Sequence, residues 1–351
     1  MKTKIIHLHN IRWWNAVSHY AWDLMRALDS LGFEQRVITG KNNPINDRQS
    51  ASGFKFDPIL PDKDIQYFPL FLKKLPLSDA QIIVTYWGRD QELALRKKSK
   101  EQKLIRIRMD ARRQNTNFAA KKLFAGTDMI VFPSELEKDR FEKSTGSYPG
   151  MKILPGSVSA CYSESSSAGS EGLKILHVAR TSPVKGHEDL LNALSVIKKQ
   201  DLAFTARFIG NEAEISLRQL RAFCTSLGIS EECEFFGFVQ DTSEFYKWAD
   251  IGIIASRGSE VYSRALLECI SYGVPVAATA VGIIPEIGAQ VDFGDIIEPQ
   301  DSSALAHAIL NTHSRRAEIL PEISEYCRQN LSFGSFTSRV KDLFSDPLLK
   351  S

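Results

Sequence analysis

The segment Ala255–Val276, ASRGSEVYSRALLECISYGVPV, carries two carboxylates, Glu260 and Glu268, with seven residues between them. An apolar run ending near Ile254 reads as a buried strand, a polar loop follows, and a helical pattern starts near Ser263. Glu260 falls in the loop and Glu268 inside the helix, on its first or second turn. Ser263 is a candidate cap for that helix, leaving free backbone N–H groups and the positive end of the dipole as an anion site. Two carboxylates beside such a site accept hydrogen bonds from hydroxyl groups, so a polyhydroxylated ligand carrying phosphate would satisfy the whole arrangement. The plainer alternative is that both glutamates favour the amino-terminal region of a helix.

HVARTSPVKGHEDLL repeats the strand–loop–helix pattern, the helix beginning after Gly186. Arg180 and Lys185 lie at the carboxyl end of that strand, where open α/β sheets bind ligands. A guanidinium fork and an ammonium point charge beside a helix start make a diphosphate clamp, although a solvated surface loop also holds such residues. A third piece, FFGFV at Phe235–Val239, leaves a strand through Gly237. Exposed backbone there suits a flat ring, and a bulge or tight turn is the ordinary alternative.

Parallel α/β units position these pieces, since short apolar runs alternate with amphipathic stretches. Strands are expected at Ile5–Leu8, Arg36–Thr39, Gln81–Thr85, Leu104–Ile107, Met129–Phe132 and Lys152–Leu154. After a break they resume at Lys174–Val178, Thr205–Ile209, Cys233–Phe236, Ile251–Ile254 and Val274–Ala278. Helices are expected at Ser18–Leu31, Asp90–Lys98, Glu135–Lys143 and Phe333–Phe344, and Lys41–Leu77 reads mostly as loop. The break is the serine-rich SVSACYSESSSAGSEG. We therefore expect an N-terminal domain over 1–156, a linker over 157–172 and a second domain over 173–330. Residues 331–351 form a terminal helix able to pack back on the first domain.

The 351 residues, 43% hydrophobic and 25% charged with a formal net charge of +2, describe a globular chain and give no argument for nucleic acid. The cysteines, Cys161, Cys224, Cys233, Cys269 and Cys327, lack C-x-x-C spacing, which disfavours zinc and a disulfide scaffold. MKTKIIHLHNIRWWNAV lacks a signal-peptide core, and no run approaches the roughly 18 apolar residues of a membrane span, so a cytoplasmic location is expected.

In order along residues 173–312, RTSPVKG, FIGNE, FFGFV, WADIGIIAS, SEVYSRALLECISYGVPVAAT and VGIIPEIG resemble the retaining glycosyltransferases of family 4. Their glycosyl transferases group 1 domain carries an E-x7-E motif. The resemblance implies the GT-B fold, two Rossmann-like domains facing across a cleft with the nucleotide held by the C-terminal one. It assigns Arg180 and Lys185 to the donor diphosphate, Glu260 to hydroxyls of the donor sugar and Glu268 to the ribose. The backbone of Gly237, Phe238 and Val239 would meet the base, and that of Tyr262, Ser263 and Arg264 would cradle the phosphates. It further implies transfer with retention of configuration, no metal and no cofactor, the nucleotide sugar being a substrate. A UDP-sugar is slightly preferred over a GDP-sugar, and the acceptor is a glycan or a lipid-linked group in polysaccharide, lipopolysaccharide or glycolipid synthesis. The alternatives are a nucleotide-sugar epimerase or a phosphorylase of the same fold, or a non-catalytic nucleotide-sugar-binding partner.

The N-terminal half follows the family only in outline. Arg12-Trp13-Trp14-Asn15-Ala16 stands where members often carry a glycine pair, which makes Asn15 an acceptor-side candidate. IRIRMDARR supplies Asp110 where some members use a histidine. Ser263 replaces a motif glycine, and Ile283 replaces the second glycine of the VGG-type loop. Asp62-Lys63-Asp64 has the spacing of a metal-binding D-x-D but lies in a proline-rich loop and reads as a solvated turn. Trp13 and Trp14 are expected between the domains, with sugar stacking or membrane contact as the alternative. Between Arg89 and Lys122 basic residues far outnumber acidic ones, which suits an anionic acceptor or peripheral contact with an anionic membrane, or a solvated helix face. His9 and His187, at strand ends, are placed to approach a ligand, with structural roles as the plainer reading.

Overall fold

Apolar runs of four to six residues, too short for core helices, form two all-parallel sheets in the computed structural model, which describes residues 3–11, 14–60, 75–109, 117–158, 172–258 and 260–349. The chain divides into two compact units, Met1–Ser157 with Phe333–Ser351, and Val158–Ser332. The linker expected over 157–172 falls largely outside the described residues, as do Asp62-Lys63-Asp64, Asp110 and Trp13.

In the first unit, β1 (Lys4–His9) leads through α1 (Ala16–Ser30) to β2 (Glu34–Gly40) and β3 (Lys55–Leu60). There follow β4 (Ile82–Thr85), α2 (Gly88–Lys97), β5 (Lys103–Ile107), α3 (Phe118–Ala125), β6 (Met129–Phe132), α4 (Glu135–Thr145) and β7 (Met151–Ile153). The sheet order is β3-β2-β1-β4-β5-β6-β7, so the winding reverses between β1 and β4. The stretch 41–77 is less irregular than expected: it holds a 3₁₀ turn at Pro44–Ala51 and the edge strand β3. KFDPIL masks that strand because Pro58 and Asp57 are poor strand formers, and both are tolerated at an edge, where Arg36 of β2 pairs with Asp57.

The second unit opens with β8 (Leu173–Val178), α5 (His187–Lys198), β9 (Phe204–Ile209), α6 (Leu217–Leu227), β10 (Cys233–Phe236) and α7 (Ser243–Trp248). It continues with β11 (Ile251–Ile254), α8 (Arg264–Ser271), β12 (Val276–Thr279), α9 (Ile284–Gly288), β13 (Ile296–Ile297), α10 (Ser302–Ser314) and α11 (Arg316–Tyr326). The order β10-β9-β8-β11-β12-β13 reverses between β8 and β11. Leu190, Leu194 and Ile197 form the buried stripe of α5 against the sheet, each burial contributing about 1.5–3 kcal/mol.

The last helix, α12 (Phe333–Phe344), belongs to the first unit. Its buried stripe of Phe336, Val340, Leu343 and Phe344 packs against α1, with the Phe336 ring edge-on to Tyr20 at 5.8 Å. Among the described residues no helix is long and apolar enough to cross a membrane.

Candidate functional site

The two loops at the carboxyl ends of β8 and β11 meet because one glycine lets them. Gly186 has φ +68, and a Cβ there would lie 1.8 Å from the Ala255 carbonyl oxygen. Only glycine combines that left-handed backbone with so close an approach. The contact is clasped from both sides. Arg257 N–H donates to the Val184 carbonyl at 2.8 Å, and the Arg257 guanidinium grips Asp189 of α5 through two bonds of 2.7 Å.

Clasping brings Lys185 Nζ to 2.5 Å from Glu260 Oε1. Ser256 Oγ donates to the same oxygen, also at 2.5 Å. From the far side, Ile283 N–H donates to the Glu260 carbonyl at 2.8 Å, and Gly282 (φ +60) packs so closely that a Cβ would lie 2.1 Å from that oxygen. The first glycine of the VGG-type loop is therefore sterically required here. Its second position supplies an N–H, which Ile283 provides equally well while burying its side chain.

Glu268 lies one turn into α8 and has a donor on each oxygen. Arg264 Nε bonds Oε1 at 2.7 Å, and the Tyr246 hydroxyl bonds Oε2 at 2.7 Å. Tyr246 is fully buried and stacked on Tyr272; burial first, then the Glu268 charge, hold its hydroxyl well above the ordinary phenol range. Glu260 and Glu268 thus stand in one stretch as oriented carboxylates.

Ser263 does not cap α8. Its backbone is left-handed (φ +38), its side chain makes no capping bond, and its buried Oγ has no partner among the described residues. Capping needs an extended backbone, whereas this position is one that favours glycine, which is the residue the family often places there. Tyr262 is buried beside it.

Arg180 and Lys185 are not equivalent. Lys185 is committed to Glu260, while the exposed Arg180 makes no side-chain ion pair or hydrogen bond among the described residues. Gly237 is exposed, and a Cβ added to it would meet nothing within 4 Å. No steric demand explains that glycine, and its carbonyl accepts from Gly210 N–H at 3.2 Å. Phe238 next to it is 68% exposed, and Val239 is half-buried.

His9 and His187 do not approach the surface. His187 and His177 are buried edge to face, ring centroids 4.6 Å apart, and burial lowers their pKa values to about 2 and about 4. His9 is buried as well, its ring beside Asn43 at 3.2 Å, and burial lowers its pKa to about 4. Asn15 caps α1, its Oδ1 accepting from Ser18 N–H at 3.1 Å. Trp14 packs within the first unit, between His19 and the Arg48 guanidinium. The basic stretch is smaller than its composition suggests: Arg106 and Arg108 are buried at β5, and Lys98 and Lys103 lie 3.4 and 3.9 Å from Asp128. What remains exposed includes Lys121 and Lys122 on α3 beside Phe118, which is 82% exposed.

Residues 172–315 match the family model of glycosyl transferases group 1. This segment is similar to that family. An exopolysaccharide phosphotransferase of Streptomyces coelicolor is 27% identical over 184 residues, 52% of this chain and 19% of that protein. The D-inositol 3-phosphate glycosyltransferase of Geodermatophilus obscurus is 28% identical over 155 residues, 42% of this chain and 34% of that protein. The aligned part is thus a fifth to a third of these relatives' length. Among solved structures, Anabaena HepE in complex with UDP and glucose superposes with TM-score 0.82 at 17% identity, covering 98% of this chain and 100% of that one. The fold is that of GT-B glycosyltransferases, and the family match lies on the unit that holds the Lys185–Glu260 constellation.

Proposed function

We propose that the protein is a retaining glycosyltransferase that takes a sugar from a nucleoside-diphosphate donor bound by its second unit. The observation that carries this is the Lys185–Glu260–Ser256 constellation, with the unpaired Arg180 cation at the end of the same strand, β8, in a segment similar to the group 1 family. Arg180, Lys185 and the α8 N-terminus stabilise charge on the leaving diphosphate. Glu260 accepts hydrogen bonds from the donor sugar, Glu268 from the ribose, and the open backbone of Gly237–Val239 meets the base.

In the front-face step the bond from the anomeric carbon to the diphosphate oxygen breaks as the acceptor oxygen bonds to that carbon on the same face. The acceptor proton passes to a phosphate oxygen of the leaving diphosphate. No protein nucleophile, metal or cofactor takes part, so activity retained in a chelator is the expected result. A UDP-sugar is favoured over a GDP-sugar, supported by the UDP held in the similar Anabaena fold. The acceptor is a glycan or a lipid-linked group, and a polysaccharide context is supported by the name of the Streptomyces relative. Phe118 with Lys121 and Lys122 offers an anionic membrane a peripheral contact at the cytoplasmic face. Vesicle co-sedimentation that is indifferent to anionic lipid would remove that contact.

The test of transfer is product NMR after incubation with UDP- and GDP-sugars and glycan acceptors. An α-linked product from an α-donor, lost in Glu260→Ala, supports the proposal, and an inverted linkage contradicts it. Tight donor binding without turnover would instead favour the non-catalytic partner.

A further inference from the structure

We propose that Ser256 is a positioning residue that holds Glu260 in place when Lys185 turns to the donor diphosphate; this rests on the donor-site assignment above. Lys185 Nζ and Ser256 Oγ both donate to Glu260 Oε1, each at 2.5 Å. Glu260 Oε2 makes no hydrogen bond among the described residues, so it is the oxygen left to accept from a sugar hydroxyl. The Glu260 side chain is only 7% exposed, so water contributes little to holding it.

An arriving diphosphate competes for the Lys185 ammonium, whose three N–H groups can be shared or withdrawn. Without a second donor, withdrawal would leave a buried carboxylate free to rotate and poorly solvated. Ser256 prevents this because it is itself anchored. It lies two residues beyond β11, and its carbonyl accepts from Thr279 Oγ1 of β12 at 2.6 Å. Thr279 Oγ1 also lies 3.2 Å from the Ile254 carbonyl, tying the strand end, the serine and the glutamate into one line. Ser256 never touches the donor; it aims the oxygen that does. Its loss therefore affects the sugar and spares the diphosphate.

The experiment is isothermal titration of wild type, Ser256→Ala, Ser256→Thr and Glu260→Ala with UDP and UDP-glucose, and with GDP and GDP-mannose. Wild type is expected to prefer one sugar nucleotide over its free diphosphate. Ser256→Ala should lose about 10-fold of that preference with diphosphate affinity unchanged, and Ser256→Thr, which keeps the hydroxyl, should restore it. A Ser256→Ala protein that keeps the wild-type preference, or weakens both ligands equally, overturns the proposal. If Ser256→Ala does not fold, Thr279→Val, which keeps the side-chain shape, is expected to reduce the same preference, and an unchanged preference there overturns it. A wild type that binds neither member of either pair, or binds them without preference, overturns the donor-site assignment and the proposal with it.

Discussion

The two units share one sheet plan and use its reversal point in opposite ways. Between β8 and β11 the second unit gathers Lys185, Ser256 and Glu260. Between β1 and β4 the first unit buries His7, His9 and Asp90. His7 lies 2.9 Å from the Tyr86 hydroxyl and 3.0 Å from Gln35, and burial lowers its pKa to about 3. Asp90 accepts from Asn10 N–H at 3.2 Å, and burial raises its pKa to about 7. Topology fixes where the strand ends and loops meet, and the side chains placed there decide what chemistry that place offers.

The sharpest way to break the comparison is through two left-handed glycines. Gly186→Ala drives a Cβ into the Ala255 carbonyl and should cost about 3 kcal/mol or more, with donor binding lost. Gly32→Ala, in the first unit, has the same sign of φ (+83) but meets nothing within 4 Å, so about 1 kcal/mol is expected. Urea unfolding of both variants checks the ratio; equal losses would show that the clasp between the two loops is not tight.

Next in size is a pH effect set by Asp90 of the first unit. Asp90 has a folded pKa raised from 3.8 to about 7, so its contribution is complete below the unfolded value and is lost as pH rises towards 7. Asp90→Asn should match wild type near pH 4 and exceed it at pH 8, by at most about 4 kcal/mol. His7 and His9 act the other way. Their lowered pKa values give a contribution present above 6.5 and lost as pH falls through about 4 and then about 3. Chemical denaturation across pH 4–8 separates the two limbs.

The smaller effect expected is on binding. Lys185→Ala removes a charged donor and should weaken nucleoside diphosphate affinity by about 1.5–3 kcal/mol. Arg180→Ala should act similarly, and either change measured by titration sharpens the contrast between the paired and the unpaired cation.

Much of the architecture was legible in the sequence, because buried parallel strands read as bare apolar runs. Met129–Phe132, Cys233–Phe236 and Ile251–Ile254 fall where expected to the residue. β3 was hidden by Pro58 and Asp57, whose cost an edge position removes. At the site, the glutamates and basic residues were visible by type, but their partners were not. Lys185 and Glu260 meet across 75 positions through a clasp made by Gly186, Asp189 and Arg257, none of which has a distinctive local pattern. Ser256 and Tyr246 were missed for the same reason: a serine after a strand and a tyrosine in a short helix are ordinary until their hydroxyls are placed. Ser263 misled because its type suits a cap and its backbone does not. His9, at the end of β1, and His187, at the start of α5, are buried, in keeping with the structural reading rather than with an approach to ligand.

The claim that the second unit holds a nucleotide-sugar donor is tested most directly by melting temperature. Wild type and Lys185→Ala would each be heated with a panel of nucleoside diphosphate sugars. At least one sugar nucleotide should raise the wild-type melting temperature and raise it less in Lys185→Ala. A panel that leaves wild type unmoved, or moves both proteins equally, would contradict the account.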